Sequence, residues 1–347
     1  MSVFEQLGHL GHEQVTLCSD PASGYRGIIA IHSTALGPAV GGTRWWVYPS
    51  DEAAITDALR LSRGMSFKNA LADLPLGGGK SVILGGPAAT DRRAVLRAHG
   101  RFIDRFHGLY VTAEDVGTSP ADMEFIAETT AHVAGRAGTS GDPSPHTARG
   151  VFRAMQAGAN AKWGSDDLAG KTVALQGCGN VGYHLAVQLH QAGAKLIVSD
   201  VDHAKVARVV KEFGATEAPV ATIHAVRADI FAPCALGAIL NDDTIPDLKV
   251  GLVCGGANNQ LLEPRHGAEL AAKNILYIPD YVANAGGVLF GGSIEVLKLS
   301  RPATLLRIDA IYDTTLRVLD RASKDHIPPS DAADRLAHEK IQLTGRP

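Results

Sequence analysis

Residues 172–182 read Thr-Val-Ala-Leu-Gln-Gly-Cys-Gly-Asn-Val-Gly. An apolar run of strand length enters Gly177-x-Gly179-x-x-Gly182, and a helical pattern follows. That is the fingerprint of a dinucleotide-binding turn. Gly177 permits the tight turn, Gly179 lets backbone approach a pyrophosphate, and Gly182 lets helix pack on strand. The helix begins with Asn180 and Val181, and its free N–H groups and dipole favour an anion. The next strand, Leu196-Ile197-Val198-Ser199-Asp200, ends in an acid 18 residues beyond Gly182. A carboxylate there accepts from both ribose hydroxyls and repels a 2′-phosphate, so NAD is expected rather than NADP.

The position of this turn carries as much information as its presence. About 150 residues lie ahead of the domain it opens, enough for a second domain. The 347-residue chain has room for two cores, and its composition is that of a globular protein, 45% hydrophobic and 20% charged. A net charge of -3 leaves no basic footprint for nucleic acid. No apolar run reaches spanning length, so no membrane association is expected. The N-terminal residues show no secretion signal, and the four cysteines form no C-x-x-C pair. A cytoplasmic protein with reduced thiols is expected.

Ahead of the turn, strands and helices alternate. Residues 14–18 and 26–33 read as strands, and Asp51 can cap a helix through about residue 64. A strand follows at 80–84, a helix opens at Thr90 or Asp91, a strand covers 109–113, and Ser119-Pro120 starts another helix. Residues 135–146, rich in Gly, Ser and Pro, read as a loop or hinge, with a helix over 147–163. Beyond Lys171 come strand 172–176, helix 180–192 and strand 195–199, then strand candidates at 228–232, 250–254 and 275–278. The remainder turns helical, with Ser330 able to cap the last helix. The fold class is α/β: an N-terminal α/β domain and a Rossmann-type NAD-binding domain separated by a cleft.

The first half carries Gly41-Gly42-Thr43-Arg44, Lys68 and Gly77-Gly78-Gly79-Lys80-Ser81. The last invites a phosphate-loop reading, but position 74 is Leu where that loop needs Gly. Lys68 and Lys80 lie 12 residues apart. Two ammonium groups converging on one pocket depress each other's pKa, and burial adds to the effect. One could then act as a near-neutral base and the other as an anion anchor. Asp115, in Thr112-Ala113-Glu114-Asp115-Val116-Gly117-Thr118, follows an apolar strand, which suits a carboxylate at a cleft. Arg44, Trp45 and Trp46 read as core or subunit contact. His9 and His12 read as polar surface, since no third ligand accompanies them, and no metal site is expected.

As a set these segments resemble the amino-acid dehydrogenase superfamily that contains the glutamate, leucine, valine and phenylalanine dehydrogenases. They look most like the leucine-type members. The resemblance runs from His12-Glu13-Gln14 to Ala332-Ala333-Asp334-Arg335-Leu336. It includes Leu36-Gly37-Pro38, Ala232-Pro233-Cys234-Ala235-Leu236-Gly237, Ala257-Asn258-Asn259-Gln260 and Asn284-Ala285-Gly286-Gly287. It implies a substrate, catalytic and oligomerisation domain over 1–146, a Rossmann NAD domain over 147–285, and C-terminal helices over 286–347 that pack back toward the first. A homo-oligomer follows from it, acting on an amino acid, its 2-oxo acid and ammonia.

The resemblance also implies roles. Lys68, helped by Asn259, would hold the substrate carboxylate. Lys80 would activate water and Asp115 would exchange a proton with the amino nitrogen. Gly41 and Gly42 would line the substrate pocket. Thr147, Asn284 and the turn of Cys234, Ala235 and Leu236 would flank the nicotinamide, with Asn258 also on the cofactor side.

Val40, Ala113, Val288 and Gly291 would meet the substrate side chain. Glutamate enzymes carry a lysine where Val40 stands, and an apolar residue cannot pair a second carboxylate. Ala113 follows the leucine pattern. Val40 and Gly291 are both smaller than usual and add room, so phenylalanine is the alternative substrate to leucine, valine or isoleucine. An NAD-binding regulator without catalysis would lack Lys80 or Asp115, and both are present. A 2-hydroxy-acid dehydrogenase would need a histidine acid–base, and none of the 14 histidines stands in such a motif.

Overall fold

The computed structural model describes residues 3–86, 91–136, 138–139 and 141–344. The chain divides into two compact units, one of Met1–Gly141, Gly291–Ser300 and Ala337–Pro347, the other of Asp142–Phe290 and Arg301–Leu336. The segment beyond 286 therefore contributes to both units.

In the first unit, α1 (Val3–Leu10) precedes the hairpin β1 (Gln14–Asp20) and β2 (Tyr25–Ser33). Next come β3 (Ala39–Val40), β4 (Thr43–Trp46), α2 (Asp51–Leu71), β5 (Gly77–Leu84), α3 (Arg92–Asp104), β6 (Tyr110–Val111) and α4 (Pro120–Ala127). The sheet runs β1-β2-β5-β3-β6, with β4 also on β5. Strand β2 is buried on both faces. Ile28 and Ala30 pack with Ala54, Ala58 and Leu59 of α2. Ile29 and Ile31 pack with Val95, Leu96 and Ile103 of α3. The two-residue period of a strand sends alternate side chains to the two helix layers.

Several boundaries differ from the sequence expectation. Helix α2 is capped by Ser50, whose side chain accepts from Ala53 N, and it continues to Leu71. Phe67, Ala70 and Leu71 extend its buried face past residue 64. Strand β5 starts at Gly77, because the glycines are strand rather than turn. A Cβ on Gly78 would stand 2.0 Å from Ser66 N, so bare backbone is what lets β5 lie against α2. Ser330 falls inside α13 (Pro329–Thr344) rather than before it. At α3, Asp91 is the cap and accepts from Ala94 N, while Thr90 lies outside the described residues. Ser119 and Asp122 form the capping box that starts α4.

The second unit opens with α5 (Ser144–Trp163), so the loop expected over 135–146, of which Ala137 and Ser140 lie outside the described residues, ends earlier. Then follow β7 (Thr172–Gln176), α6 (Asn180–Gln191), β8 (Lys195–Ser199), α7 (His203–Phe213) and β9 (Thr216–Glu217). After these come β10 (Ile230–Pro233), β11 (Leu252–Val253), α8 (His266–Ala272), β12 (Leu276–Tyr277), α9 (Asp280–Ala283) and α10 (Gly286–Gly291). Helices α11 (Arg301–Asp309), α12 (Ile311–Asp325) and α13 close the chain. The sheet order is β12-β11-β10-β7-β8-β9, all parallel. Strand order reverses at β7, which places a crevice at the carboxyl ends of β7 and β10.

Among the described residues no helix is long and apolar enough to cross a membrane. All four cysteines are free.

Candidate active site

Lys80 sits on β5 at the point where that strand changes partners. Val40 of β3 pairs with Gly78, and Thr43 of β4 pairs with Ser81. Gly41 and Gly42 make the break between them. A Cβ on Gly41 would meet Gly79 O at 1.7 Å, and one on Gly42 would meet Glu114 O at 2.4 Å. These glycines therefore pull three backbone segments together around Lys80 and Asp115.

The two charged groups meet. Lys80 Nζ lies 2.8 Å from Asp115 Oδ2, and Lys80 is only 5% exposed. Burial pushes the Lys80 ammonium below its ordinary pKa; Asp115 opposes the shift without cancelling it, and Arg44 adds to it. Burial opposes ionisation of Asp115, but Lys80 and Arg44 outweigh it and hold the carboxyl below its usual range. The outcome is an ionised carboxylate beside an ammonium that gives up its proton readily.

The cation acting on Lys80 is Arg44, which the sequence reading assigned to packing. Arg44 Nε donates to Asp115 Oδ2 at 2.9 Å, and NH1 donates to Asp57 Oδ2 at 2.9 Å. Tyr48 OH donates to that same Asp57 oxygen at 2.6 Å. The signal available in the sequence was an arginine next to a buried strand residue, Trp45, which does pack in the core. A second missed feature lies beneath Lys80. The hydroxyls of Thr43 and Ser81 bond His99 Nε2 and each other, Thr43 also bonds the Thr112 hydroxyl, and Tyr25 OH bonds His99 Nδ1. Tyr110 OH donates to Gly41 O at 2.6 Å and to Ser81 Oγ at 3.1 Å.

The other residues expected on the substrate side are placed as follows. Val40 is buried on β3, and Ala113 O accepts from Thr43 N just after β6. Lys68 is half-buried in the last turn of α2. Gly291 ends α10, and a Cβ there would meet no atom within 4 Å. Val288, on the same helix, is half-buried. Asn259 belongs to the second unit, with a left-handed φ of 52° and its carbonyl accepting from Ala238 N.

In the second unit the glycine turn is built as its spacing requires. Gly177 has φ 98°, and a Cβ on Gly182 would stand 1.9 Å from Gly177 O. By contrast, no atom lies within 4 Å of a Cβ on Gly179, which leaves space at the start of α6. Asp200, at the end of β8, accepts from Cys178 N at 2.7 Å and from Asp202 N at 2.9 Å, which orients its carboxylate. Gly177 abuts the Cys234–Ala235 backbone after β10, so both segments lie at the sheet's switch point. Ala235 and Leu236 are exposed there. Asn284 Nδ2 donates to Asn258 Oδ1 at 2.8 Å, while Asn284 Oδ1 is buried with no partner among the described residues. Thr147, half-buried in the first turn of α5, packs against Gly287. Open space at Gly179, an oriented carboxylate and an unsatisfied amide oxygen fit a dinucleotide.

One feature set aside in the sequence can be placed, and the structure adds a cluster the sequence did not suggest. His12 is not surface: its Nε2 reaches Leu59 O and Ser62 Oγ at 3.0 and 2.9 Å, and burial lowers its pKa to about 4. His266 and Glu269 of α8 come together with Asp242 of the segment between β10 and β11. Glu263 N donates to His266 Nδ1, which leaves the ring proton on Nε2, so that nitrogen cannot ligate a cation. Arg265 already pairs with both carboxylates of the group, which makes it an ion-pair cluster.

Residues 12–132 match the family described as Glu/Leu/Phe/Val dehydrogenase, dimerisation domain. Residues 138–204 and 199–305 match Glutamate/Leucine/Phenylalanine/Valine dehydrogenase. The chain is 52% identical over 345 residues to leucine dehydrogenase of Geobacillus stearothermophilus, covering 99% of this chain and 94% of the relative. It is 46% identical over 337 residues to valine dehydrogenase of Streptomyces virginiae, covering 95% and 94%. The crystal structure of L-tryptophan dehydrogenase from Nostoc punctiforme superposes with a TM-score of 0.90 at 42% identity, covering 99% and 100%.

Proposed function

The chain belongs to the Glu/Leu/Phe/Val dehydrogenase family and is an amino-acid dehydrogenase, and from that premise we propose that it carries out the reversible NAD-dependent oxidative deamination of an apolar L-amino acid, leucine above all. The products are the 2-oxo acid, ammonium and NADH, with water consumed and one proton released. The contact that carries this reading is the buried 2.8 Å pair of Lys80 and Asp115.

The nicotinamide cofactor, when bound, accepts the hydride from the amino-acid Cα. Gly177, Gly179 and Gly182 hold its pyrophosphate at the start of α6, with Asn180 and Val181 supplying N–H groups. Asp200 takes the ribose hydroxyls and disfavours NADP. Asn258, Asn284, Thr147, Cys234, Ala235 and Leu236 position the nicotinamide end. Asn284 Oδ1, buried and unpartnered, accepts from an amide donor there.

Lys68 holds the substrate carboxylate. Asp115 takes a proton from the substrate ammonium, so that the nitrogen lone pair can assist loss of the hydride. Lys80, whose ammonium burial disfavours, acts in its neutral form and removes a proton from water as it adds to the resulting iminium carbon. Asp115 returns a proton to the nitrogen, the C–N bond breaks, the hydroxyl proton passes to the departing ammonia as the carbonyl forms, and Lys80 releases its proton to solvent. Seclusion of Lys80 keeps bulk water from levelling its basicity.

Val40 is apolar and buried, which disfavours a substrate with a second carboxylate. A second reading, an aromatic substrate, rests on Gly291, where open space replaces a side chain. A relative that is a tryptophan dehydrogenase accords with it. Initial rates of NADH formation with leucine, valine, phenylalanine and tryptophan decide. Leucine is expected to give the highest kcat/KM, and a preference for phenylalanine or tryptophan above about tenfold replaces the first reading with the second.

A homo-oligomer accords with the dimerisation-domain match and with exposed Leu17 on the edge strand β1.

A further inference from the structure

Two cations share one oxygen of Asp115. Lys80 Nζ lies 2.8 Å from Oδ2, and Arg44 Nε lies 2.9 Å from the same atom. Among the described residues Oδ1 accepts no hydrogen bond. Arg44 is fixed at its far end too, through Asp57, which Tyr48 also engages. The guanidinium is thus strung between two carboxylates, one from the turn after β6 and one from α2.

We propose that Arg44 is a positioning residue of the catalytic pair: anchored by Asp57 and Tyr48, it turns Asp115 so that Oδ2 faces Lys80 and Oδ1 stays available to the substrate nitrogen, and it supplies the positive charge that remains beside Asp115 when Lys80 is neutral. This rests on the reading of Lys80 and Asp115 as the catalytic pair.

The chemistry requires such a group. A buried carboxylate with Lys80 as its sole counter-ion would recapture the proton that Lys80 must lose, because an isolated buried charge is costly. An arginine keeps its charge throughout the working pH range. With Arg44 in place, Lys80 loses a proton and Asp115 still faces a cation. Arg44 also repels the Lys80 ammonium, so it favours the neutral amine and the ionised carboxylate together. A lysine at this position could carry the charge but not the fork that spans Asp115 and Asp57.

The groups around the pair come from four segments: Lys80 from β5, Arg44 from β4, Asp57 from α2, and Asp115 itself. Tyr48 lies beyond Asp57, and buried Tyr110 of β6 feels the Asp115 charge. Arg60 of α2 lines the same surface opening as Arg44, Tyr48 and Asp57. Of these, Arg44 is the cation in direct contact with Asp115 besides Lys80.

The test is the pH dependence of kcat for NAD-dependent leucine deamination in Arg44→Met and Arg44→Lys, with NAD affinity measured alongside. Arg44 lowers the pKa of both partners, so Arg44→Met is expected to move the rising limb of the profile to higher pH by about one unit and to cut kcat by about 10- to 100-fold. NAD affinity should be unchanged. Arg44→Lys should keep the limb near its wild-type position while kcat still falls severalfold. A wild-type limb in Arg44→Met overturns the proposal. If Arg44→Met does not fold, Arg44→Lys alone decides, and wild-type kcat in that variant overturns it. Failure of the underlying reading looks different: Lys80→Ala would then turn over normally.

Discussion

Lys80 and Asp115 are joined across 35 positions of sequence by a 2.8 Å contact that is buried on the lysine side. Neither residue gets there by its own side chain. Gly41 and Gly42 remove the Cβ atoms that would hold β5 and the turn after β6 apart. The sheet then delivers an ammonium into a place where it is costly to keep it charged.

That placement fixes a pH dependence. The folded-state pKa of Lys80 is lowered, burial being the main cause, and the proposed deamination uses the neutral amine. The deamination rate should rise with pH and level off below the ordinary titration range of lysine. A limb at the pKa of free lysine would show that the group is not desolvated in the working enzyme.

The same geometry makes Gly41 intolerant of any side chain. A Cβ there would stand 1.7 Å from Gly79 O, and neither neighbour is a flexible side-chain end. Gly41→Ala is expected to cost about 1–3 kcal/mol in stability, and to lower kcat by moving Lys80 relative to Asp115. Thermal unfolding and kcat, measured on one preparation, check both effects.

The proposed preference for NAD rests on Asp200. Replacing it by serine removes a charged acceptor worth about 1.5–3 kcal/mol, so the preference for NAD over NADP should fall by about 10- to 100-fold. The ratio of kcat/KM for the two cofactors is the readout. An unchanged ratio would locate the discrimination elsewhere.

His99 predicts acid sensitivity of the first unit. Burial depresses its pKa from 6.5 to about 3, so the unfolded chain takes up a proton that the folded one refuses. Stability is therefore complete above the unfolded value and declines as pH falls from about 6.5 toward 3, by about 1.4 kcal/mol per unit for one proton. Chemical denaturation across that range should show a slope reduced by about one proton in His99→Gln.

How far the sequence reveals the molecule depends on whether a residue acts locally. The turn at Gly177, Gly179 and Gly182, the strand before it and Asp200 are all contained within one βαβ unit, and they fall where the spacing puts them. The four cysteines and the capping of α4 by Ser119 are similarly local. The membership of the chain in its family was legible from the joint occurrence of short motifs. Strands β3 and β4 were not, because two and four residues leave no period to detect. The start of β5 was missed because Gly77, Gly78 and Gly79 imitate a turn, and only the approach of α2 explains them. Arg44 escaped for a related reason: its partners Asp57 and Asp115 lie 13 and 71 positions away. Nothing in the local sequence separates a catalytic neighbour from a packing arginine.

The most direct test of the central claim is turnover by Lys80→Ala, measured as NADH formation with saturating NAD and leucine, beside NAD affinity on the same sample. Loss of a general base costs about 10²- to 10⁴-fold in kcat, and NAD affinity should stay near wild type because the glycine turn and Asp200 belong to the other unit. Wild-type turnover in Lys80→Ala would contradict the account and remove Lys80 from the chemistry.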